Sequence, residues 1–162
     1  MAVTVRKFRS EDTKDAITIW NEVVDQGKAF PQMEDLGVED GEAFFKEQSY
    51  TGIAVNESGE IVGLYILHPN NIGRCGHICN ASYAVKSTAR GQGVGRAIVT
   101  DCLEKAKEIG FRVMQFNAVV KSNTTALALY KKLGFTQVGT IPGGFLNKDG
   151  VYEDIIVHYK EL

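Results

Sequence analysis

The sequence feature that most constrains the fold is a run of alternating glycines, Gly91, Gly93 and Gly95, in the stretch ARGQGVGRA. Residues 77–85 before it read as a strand, and apolar residues recur at helical spacing after it. Glycine loses more backbone entropy on folding than any other residue, so this is a costly way to build a turn. A strand, a glycine turn and a helix start present free backbone N–H groups and the positive end of the helix dipole. The stretch therefore predicts a binding site for a phosphate-bearing ligand.

Two arginines, Arg90 and Arg96, flank the glycines and can add charge-assisted hydrogen bonds to a phosphate. The P-loop pattern needs Gly-Lys-Ser/Thr, whereas Gly95 is followed by Arg96 and Ala97. The dinucleotide fingerprint also fails, because the spacing is GxGxG rather than GxGxxG. The spacing therefore argues against both common nucleotide-binding motifs. A tight turn that needs only backbone freedom is the structural alternative.

The composition narrows the classes of protein. With 162 residues, 44% of them hydrophobic, we expect one compact domain over residues 1–162. The net charge of −2 gives no reason to expect nucleic-acid binding. Apolar runs fall short of the roughly 20 residues that a membrane span needs, and the N-terminus lacks a signal-peptide apolar region. Three cysteines without a CxxC pair predict neither a disulfide framework nor a metal site, so we expect a cytoplasmic protein.

The order of predicted elements indicates a mixed α/β fold around a central sheet. Period-two alternation and short apolar runs predict strands at residues 3–8, 52–56, 61–68, 77–85, 113–120, 136–141 and 151–160. Helical spacing predicts helices at residues 13–25 and 38–48, a third with Ile98, Cys102, Ala106 and Ile109 on one face before Gly110, and a fourth between Asn123 and Gly134.

Two ordered motifs carry a family resemblance. The pattern V-x-x-x-x-[RQ]-G-x-G-[VI]-G is matched by Val85, Arg90, Gly91, Gly93, Val94 and Gly95. The pattern N-x-x-A-x-x-L-Y-x-x-x-G-F is matched downstream by Asn123, Ala126, Leu129, Tyr130, Gly134 and Phe135. Together they resemble the GCN5-related N-acetyltransferase family, whose first motif binds the pyrophosphate of acyl-CoA. The resemblance implies an acetyl-CoA-dependent N-acetyltransferase, with a mixed sheet of about seven strands and about four helices, splayed between the fourth and fifth strands.

The resemblance also implies where the cofactor binds. The pantetheine arm is expected between the fourth and fifth strands, where Tyr83 and Val85 offer main-chain groups to it. Residues 90–96 are expected to cradle the pyrophosphate, with Gln92 and Val94 contributing mainly backbone. The full set implied for cofactor binding is Tyr83, Val85, Arg90, Gly91, Gln92, Gly93, Val94, Gly95, Arg96 and Asn123.

Two residues, Tyr130 and Asn123, have catalytic roles implied by the resemblance. Tyr130 resembles the general acid for the departing thiolate, and Asn123 the residue that hydrogen-bonds the cofactor arm. They are seven positions apart, which places them on one helical face about 10 Å apart along the axis. A core aromatic and a helix N-cap are the structural alternatives. Proton transfer from a phenol of pKa about 10 to a thiolate of about 8.5 is uphill by about 2 kcal/mol, which favours a hydrogen bond that stabilises the developing charge.

The sequence identifies no general base. Glu34, Asp35, Glu42, Glu153 and Asp154 are candidates through an ordered water, as are His68 and His77, although surface or structural roles explain each of them as well. Cys79 lies on the fourth predicted strand near the expected acetyl group, but no paired histidine or acid accompanies it. We therefore expect direct attack by the amine rather than a ping-pong route through cysteine.

Short motifs suggest the acceptor. The segments GHICNASYAV, QFNAVVKSN and TIPGGF resemble a subgroup that acetylates proline-like imino acids such as azetidine-2-carboxylate, which implies that Asn80 and Asn117 bind the substrate. Another small amine, a peptide N-terminus or a protein lysine remains open, and buried asparagines can also satisfy a strand where the sheet splays. A non-catalytic acyl-CoA sensor is the alternative from another class. The resemblance leaves a homodimer open.

Overall fold

The centre of the fold is a seven-stranded mixed sheet, which a computed structural model describes within residues 2–162. The strands are β1 (Thr4–Lys7), β2 (Tyr50–Val55), β3 (Ile61–Pro69), β4 (Ile78–Val85), β5 (Val113–Val120), β6 (Thr136–Leu146) and β7 (Tyr152–Glu161). Their order is β1-β2-β3-β4-β5-β7-β6, and only β4 and β5 pair in parallel. The predicted α/β class and number of strands are confirmed.

Four helices cover the two faces of this sheet. They are α1 (Thr13–Gln26), α2 (Val38–Glu47), α3 (Val94–Ile109) and α4 (Thr124–Lys132). Apolar residues of α1 and α2 share one buried cluster with β3 and β4, and those of α3 and α4 share another on the opposite face. No helix within residues 2–162 is both long and apolar enough to cross a membrane.

The sheet is splayed at its centre. β4 and β5 pair only at Ile78 with Val113 and at Cys79 with Met114, after which the two strands separate. β4 still pairs with β3 without a register shift along its whole length. We call the open space between the two strands the split; it lies where the resemblance implies it.

An aromatic cluster fixes the first two helices to the sheet. Trp20 is 1% exposed and its ring lies 4.5 Å from Phe30, 5.2 Å from Phe44 and 6.1 Å from Phe45, centroid to centroid. Such rings bury large apolar areas and prefer these tilted arrangements. The cluster therefore holds α1, the loop after it and α2 as one layer beside the end of β4 that leads to the glycines.

On the other face, one predicted core residue is exposed. Ile98, Cys102 and Ala106 of α3 are fully buried, as predicted, whereas Ile109 is 47% exposed. It is the last residue of α3, and the following Phe111 packs against the buried cluster instead.

β6 is longer than predicted. The sequence predicts a strand at residues 136–141 before a glycine-rich loop, but β6 continues to Leu146 with a register shift against β7 between Ile141 and Phe145. Gly143 has a φ of +64°, and a Cβ on Gly144 would lie 2.5 Å from a side-chain carbon of Ile155. These glycines let the chain bulge and resume pairing, so the connection to β7 lies further along the chain.

Asp12, just before α1, carries a pH-dependent part of the stability. It is 3% exposed and accepts hydrogen bonds of 2.8 and 2.9 Å from the Arg6 guanidinium and of 2.8 Å from the Arg9 backbone N–H. Burial raises the pKa of Asp12, but these hydrogen bonds outweigh it and hold the pKa below its ordinary value.

We expect Asp12→Asn to lower the free energy of unfolding at pH 7 by about 1–3 kcal/mol, because it leaves buried donors poorly paired. Since the folded pKa is lowered, the stabilisation is present above the unfolded pKa of about 3.9 and is lost as the pH falls through the folded value. Urea denaturation of both proteins at pH 7 and pH 3 measures this. Glu11→Gln is the control, because its 3.7 Å ion pair with Arg9 is exposed. A difference between Asp12→Asn and wild type that stays constant with pH contradicts the assignment.

Candidate active site

The inner edge of β4 presents unpaired backbone groups to the split. The Ile78 carbonyl accepts from the Asn70 N–H, and the Lys86 N–H donates to the Val62 carbonyl, both at 2.8 Å. The backbone groups of Ile78 and Lys86 therefore face β3. Because antiparallel pairs alternate along a ladder, the residues between them at odd positions face the other way. Tyr83 and Val85 therefore direct their N–H and C=O groups into the split, as does Ala81, whose N–H is already bonded to Asn80 Oδ1. This is the orientation that the expected contacts of Tyr83 and Val85 with pantetheine require.

The glycine loop lies at the end of β4 and opens α3. Gly91 and Gly93 have φ values of +77° and +80°, and no protein atom lies within 4 Å of a Cβ placed on either. Gly93 is the N-cap of α3, and the first helical hydrogen bond runs from the Ala97 N–H to its carbonyl at 3.1 Å. The preceding N–H groups of the first turn have no helical acceptor. The loop is thus a bare surface with free donors, as an anion site needs.

Gly95 has a different environment from the other two glycines. It lies inside α3, and a Cβ there would be 3.7 Å from Leu129 Cδ2 of α4, an ordinary contact. Val94 is 2% exposed, so its side chain belongs to the core and only its backbone reaches the loop surface. Gln92 is exposed, in keeping with the expected main-chain role of both residues.

Of the two arginines that flank the loop, Arg90 is hydrogen-bonded to α1 and Arg96 lines a groove beside α3. Arg90 donates a 3.0 Å hydrogen bond to Gln26 Oε1 at the end of α1. Arg96 lines a groove of about 590 Å³ between α3 and β1, together with Asp101 and Glu104. This groove lies across α3 from the split. Contact of either guanidinium with a pyrophosphate therefore stays a prediction.

Tyr130 lies on α4 among aromatic side chains beside the split. Its ring centroid is 4.6 Å from Phe116, 5.5 Å from Phe135, 5.8 Å from His158 and 6.4 Å from Tyr83. Burial raises the pKa of Tyr130 well above its ordinary value. The hydroxyl therefore stays protonated at physiological pH and is a hydrogen-bond donor rather than a proton source.

Asn123 is the N-cap of α4. Its Oδ1 accepts a 3.3 Å hydrogen bond from the Ala126 N–H, which satisfies one of the free donors of the first helical turn. Its Nδ2 group is not used in that bond and can donate elsewhere. The structure thus shows the capping role, and the predicted contact with the cofactor arm stays a prediction.

Asn80 and Asn117 lie on the face of the sheet opposite Tyr130 and meet through a third asparagine, Asn70. Asn80 Nδ2 donates to Asn70 Oδ1 at 3.3 Å, and Asn117 and Asn70 exchange hydrogen bonds of 2.7 and 3.3 Å. Gln115 Nε2 donates to Asn117 Oδ1 at 3.0 Å. We call Asn70, Asn80, Gln115 and Asn117 the amide cluster. The structure brings the two predicted substrate residues together. Asn70 and Gln115 were not predicted from the sequence; Asn70 lies in HPNN, which reads as loop.

Asn80 also has the structural role that the sequence allows. Its Oδ1 accepts a 2.8 Å hydrogen bond from the Ala81 N–H, which otherwise opens into the split just beyond the last β4–β5 pair. One side chain therefore closes the strand end and joins the amide cluster. His68, its partner across β3 and β4, has Nδ1 3.0 Å from the Pro69 carbonyl, which can only accept, so Nδ1 is the donor in this contact.

Three further candidates for the nucleophile or general base, Cys79, Glu153 and Asp154, are held in other interactions. Cys79 is fully buried, donates to the Val113 carbonyl at 3.4 Å, and burial raises the pKa of its thiol to about 12, so it is not a ready nucleophile. Hydrogen bonds from Ser122 and Asn147 lower the pKa of Glu153, and Asp154 accepts from the Gly143 N–H at 3.0 Å. Glu153 therefore lacks the raised pKa typical of a general base at neutral pH.

Comparison with known proteins agrees with this arrangement. The family model described as Acetyltransferase (GNAT) family matches residues 16–135. N-acetyltransferase aca1 of Schizosaccharomyces pombe is 34% identical over 101 residues, which cover 61% of this chain and 48% of that relative. The chain thus corresponds to about half the length of that protein.

Two further proteins match over most of their length. Peptidyl-lysine N-acetyltransferase YjaB of Escherichia coli is 29% identical over 140 residues, covering 86% of each chain. The structure of a GCN5-related N-acetyltransferase from Kribbella flavida superposes with a TM-score of 0.92 at 33% identity, covering 99% of this chain and 98% of that one. Both motifs, the splayed sheet and the matched model agree. The chain therefore belongs to the acetyltransferase (GNAT) family, and its fold is that of an N-acetyltransferase.

Proposed function

We propose that this chain transfers the acetyl group of acetyl-CoA directly to the amine of a small amino or imino acid. The observation that carries the proposal is the split, which has Tyr130 on one face of the sheet and the amide cluster on the other. A thioester in the split is exposed to a hydroxyl donor from one face and to an incoming amine from the other. That arrangement suits a direct transfer between two bound molecules.

The donor side is argued from the backbone. Acetyl-CoA enters with its pyrophosphate on Gly91, Gly93 and the first turn of α3, where free N–H groups and the helix dipole favour an anion. Its pantetheine arm runs along Ala81, Tyr83 and Val85, whose groups face the split. The thioester then lies toward the closed end of the split, near Cys79 and Asn80. Asn123 Nδ2 is free to donate to the arm while its Oδ1 caps α4.

The chemistry needs little from the side chains. The neutral amine attacks the thioester carbonyl carbon, the C–S bond breaks, and the CoA thiolate leaves while the amine gives its proton to solvent. Tyr130 donates a hydrogen bond to the sulfur as its charge develops, an interaction made mainly in the transition state. Because burial raises its pKa, Tyr130 keeps its proton when the thiolate leaves.

Two other assignments are tested beside this one. YjaB is named for peptidyl-lysine acetylation and matches over most of its length, so a peptide or protein amine is the second candidate acceptor. The observation that favours a small acceptor instead is the amide cluster, a compact set of joined polar side chains next to the split. A non-catalytic acyl-CoA sensor has no use for the hydrogen bond that this proposal assigns to the half-buried Tyr130 phenol.

Tyr130→Phe should lower kcat about 10- to 100-fold, since it removes a hydrogen bond to a charged group worth about 1.5–3 kcal/mol. The KM for acetyl-CoA should stay unchanged. Neither wild type nor Tyr130→Phe should show a fall in kcat with rising pH, below about pH 10, that is due to this residue. The raised pKa keeps the wild-type phenol protonated in that range. Tyr50→Phe, on β2, is the control. Loss of acetyl-CoA binding in Tyr130→Phe would contradict the assigned role.

Gly93→Ala should weaken acetyl-CoA binding by about 10-fold or more, since its Cβ projects into the space assigned to the pyrophosphate. The matched control is Gly110→Ala at the other end of α3. Gly110 also has a positive φ, +110°, and open space around a Cβ. Both variants carry a similar backbone cost of about 1–2 kcal/mol, so isothermal titration calorimetry with acetyl-CoA separates strain from ligand contact. Equal affinities in the two variants would place the pyrophosphate elsewhere.

The function itself is tested by free-thiol release from acetyl-CoA with a panel of amines. The panel holds azetidine-2-carboxylate, proline, primary amino acids, polyamines, a lysine peptide and a peptide with a free N-terminus. We expect release with the imino or amino acids. Release with the peptides alone supports the second acceptor class. No release from any amine, with acetyl-CoA binding confirmed by calorimetry, supports the sensor and refutes the proposed reaction.

A further inference from the structure

We infer that Asn70 is a positioning residue that locks the amide cluster into one polarity, so that the cluster presents N–H donors and selects acceptors that carry a carboxylate. The inference rests on the proposed function and adds to it the rule by which the acceptor is chosen. Its basis is a chain of hydrogen bonds that begins at the Ala81 N–H on β4, passes through Asn70 just after β3, and ends on β5.

The chain of hydrogen bonds begins at Ala81. A side-chain amide can usually be turned by 180° with its oxygen and nitrogen exchanged, and the polarity of a cluster of amides is then undetermined. Here the Ala81 N–H, which can only donate, lies 2.8 Å from Asn80 and so requires the oxygen of that amide to face it. Asn80 Nδ2 must therefore face Asn70, and the Asn70 atom that it meets at 3.3 Å must be Oδ1.

Asn70 passes this polarity to the next strand. With Oδ1 fixed as the acceptor, Asn70 Nδ2 faces Asn117 Oδ1 at 3.3 Å, and Asn117 Nδ2 returns a 2.7 Å hydrogen bond to Asn70 Oδ1. Because Asn117 Oδ1 is now an acceptor, Gln115 must direct its Nε2 to it, at 3.0 Å. Asn70 is the member that joins the anchored Asn80 to the exposed Asn117, since Asn80 has no hydrogen bond to Asn117 among residues 2–162.

The acceptor capacity of the cluster is used up internally. A carbonyl oxygen has two lone pairs, and Asn70 Oδ1 and Asn117 Oδ1 each accept two hydrogen bonds from within the cluster. Each of the four amides uses one of its two N–H groups within the cluster and keeps the other. The cluster therefore has spare donors but few spare acceptors. Such a surface binds a carboxylate well and an ammonium group poorly.

The position of the cluster fits an acceptor rather than the cofactor. Asn70 follows Leu64 and Ile66 on the face of the sheet that α1 and α2 cover further along. Asn80 lies on the same face of β4, opposite His68, and Asn117 is exposed on the same face of β5. The last β4–β5 pair, Cys79 with Met114, lies next to Asn80. A carboxylate on the cluster thus places the neighbouring amine of an amino or imino acid over the closed end of the split.

Asn70→Asp tests the inference because it keeps the size of the side chain and reverses its polarity. A carboxylate can only accept, so Asn117 Oδ1 loses one of its two donors, and the added charge repels a carboxylate substrate. Asn71→Asp is the matched control: it adds the same charge one residue away, at an exposed position whose side-chain oxygen accepts a hydrogen bond from the Ile72 N–H. Asn70→Ala, which removes the link without adding charge, is the second variant in case Asn70→Asp does not fold.

The measurement is steady-state kinetics with azetidine-2-carboxylate and its carboxamide as a matched pair of acceptors. For wild type and Asn71→Asp, we expect a KM at least 10-fold lower for the acid than for the carboxamide. In Asn70→Asp and Asn70→Ala the KM for the acid should rise about 10-fold or more and the preference for the acid over the carboxamide should fall, with the KM for acetyl-CoA within about 2-fold of wild type. Calorimetric binding of azetidine-2-carboxylate to the CoA-bound protein should weaken in parallel.

Three outcomes overturn the inference. The first is a wild-type protein that uses the acid and the carboxamide equally well, since a donor surface must distinguish them. The second is an Asn70 variant that loses both acceptors and acetyl-CoA alike, which shows a role in the fold alone. The third is turnover only of amines that lack a carboxylate, which refutes carboxylate selection but leaves the acetyltransferase reaction standing. If no amine is acetylated although acetyl-CoA binds, the proposed function fails, and the inference falls with it.

Discussion

Beyond Cys79 and Met114, the backbone groups on the facing edges of β4 and β5 have no partner strand. An N–H or C=O group that is shielded from water without a partner costs about 1–3 kcal/mol, so an open seam in the middle of a sheet needs something to fill it. The unbroken pairing of β4 with β3 on its other side keeps this seam rigid and fixes which residues face it. The glycine loop, α4 and the amide cluster all take their places relative to that seam.

The seam also separates the two halves of the chemistry. α3 and α4 lie on one face with Tyr130, and the amide cluster lies on the other. A molecule in the seam is therefore flanked by both sets of groups. A covalent relay has no support in this arrangement, because burial holds the Cys79 thiol at a pKa of about 12 and its hydrogen goes to a backbone carbonyl.

Much of the fold could be predicted from local patterns. Alternation and helical spacing place every strand and helix, and the two motifs point to the splay, because each of these signals lies within a short stretch of chain. The end of β6 could not be predicted, since Gly143 and Gly144 are typical of a loop and only their pairing partners on β7 make them a bulge.

The site could be predicted in part, for the same physical reason. Gly91 and Gly93 carry their own backbone requirement, and Tyr130 stands inside a motif. Asn70 has no local signal, because its role depends on the register of β3, β4 and β5 together. The partner of Arg90 is equally hidden, since Gln26 lies 64 residues earlier in the chain. Capping by Asn123 is a local pattern, and the sequence analysis includes it.

The way each half of the site is built affects how it can change during evolution. Under the proposed function, main-chain groups of Ala81, Tyr83 and Val85 and of the loop bind the cofactor, and almost any sequence of compatible shape supplies such groups. Side chains on the opposite face bind the acceptor under the same proposal, and a single replacement there converts a donor into an acceptor. A few substitutions can therefore change the preferred substrate while the protein keeps its ability to use the same acyl donor. Sequence identity to a relative is for this reason a poor guide to which amine either protein modifies.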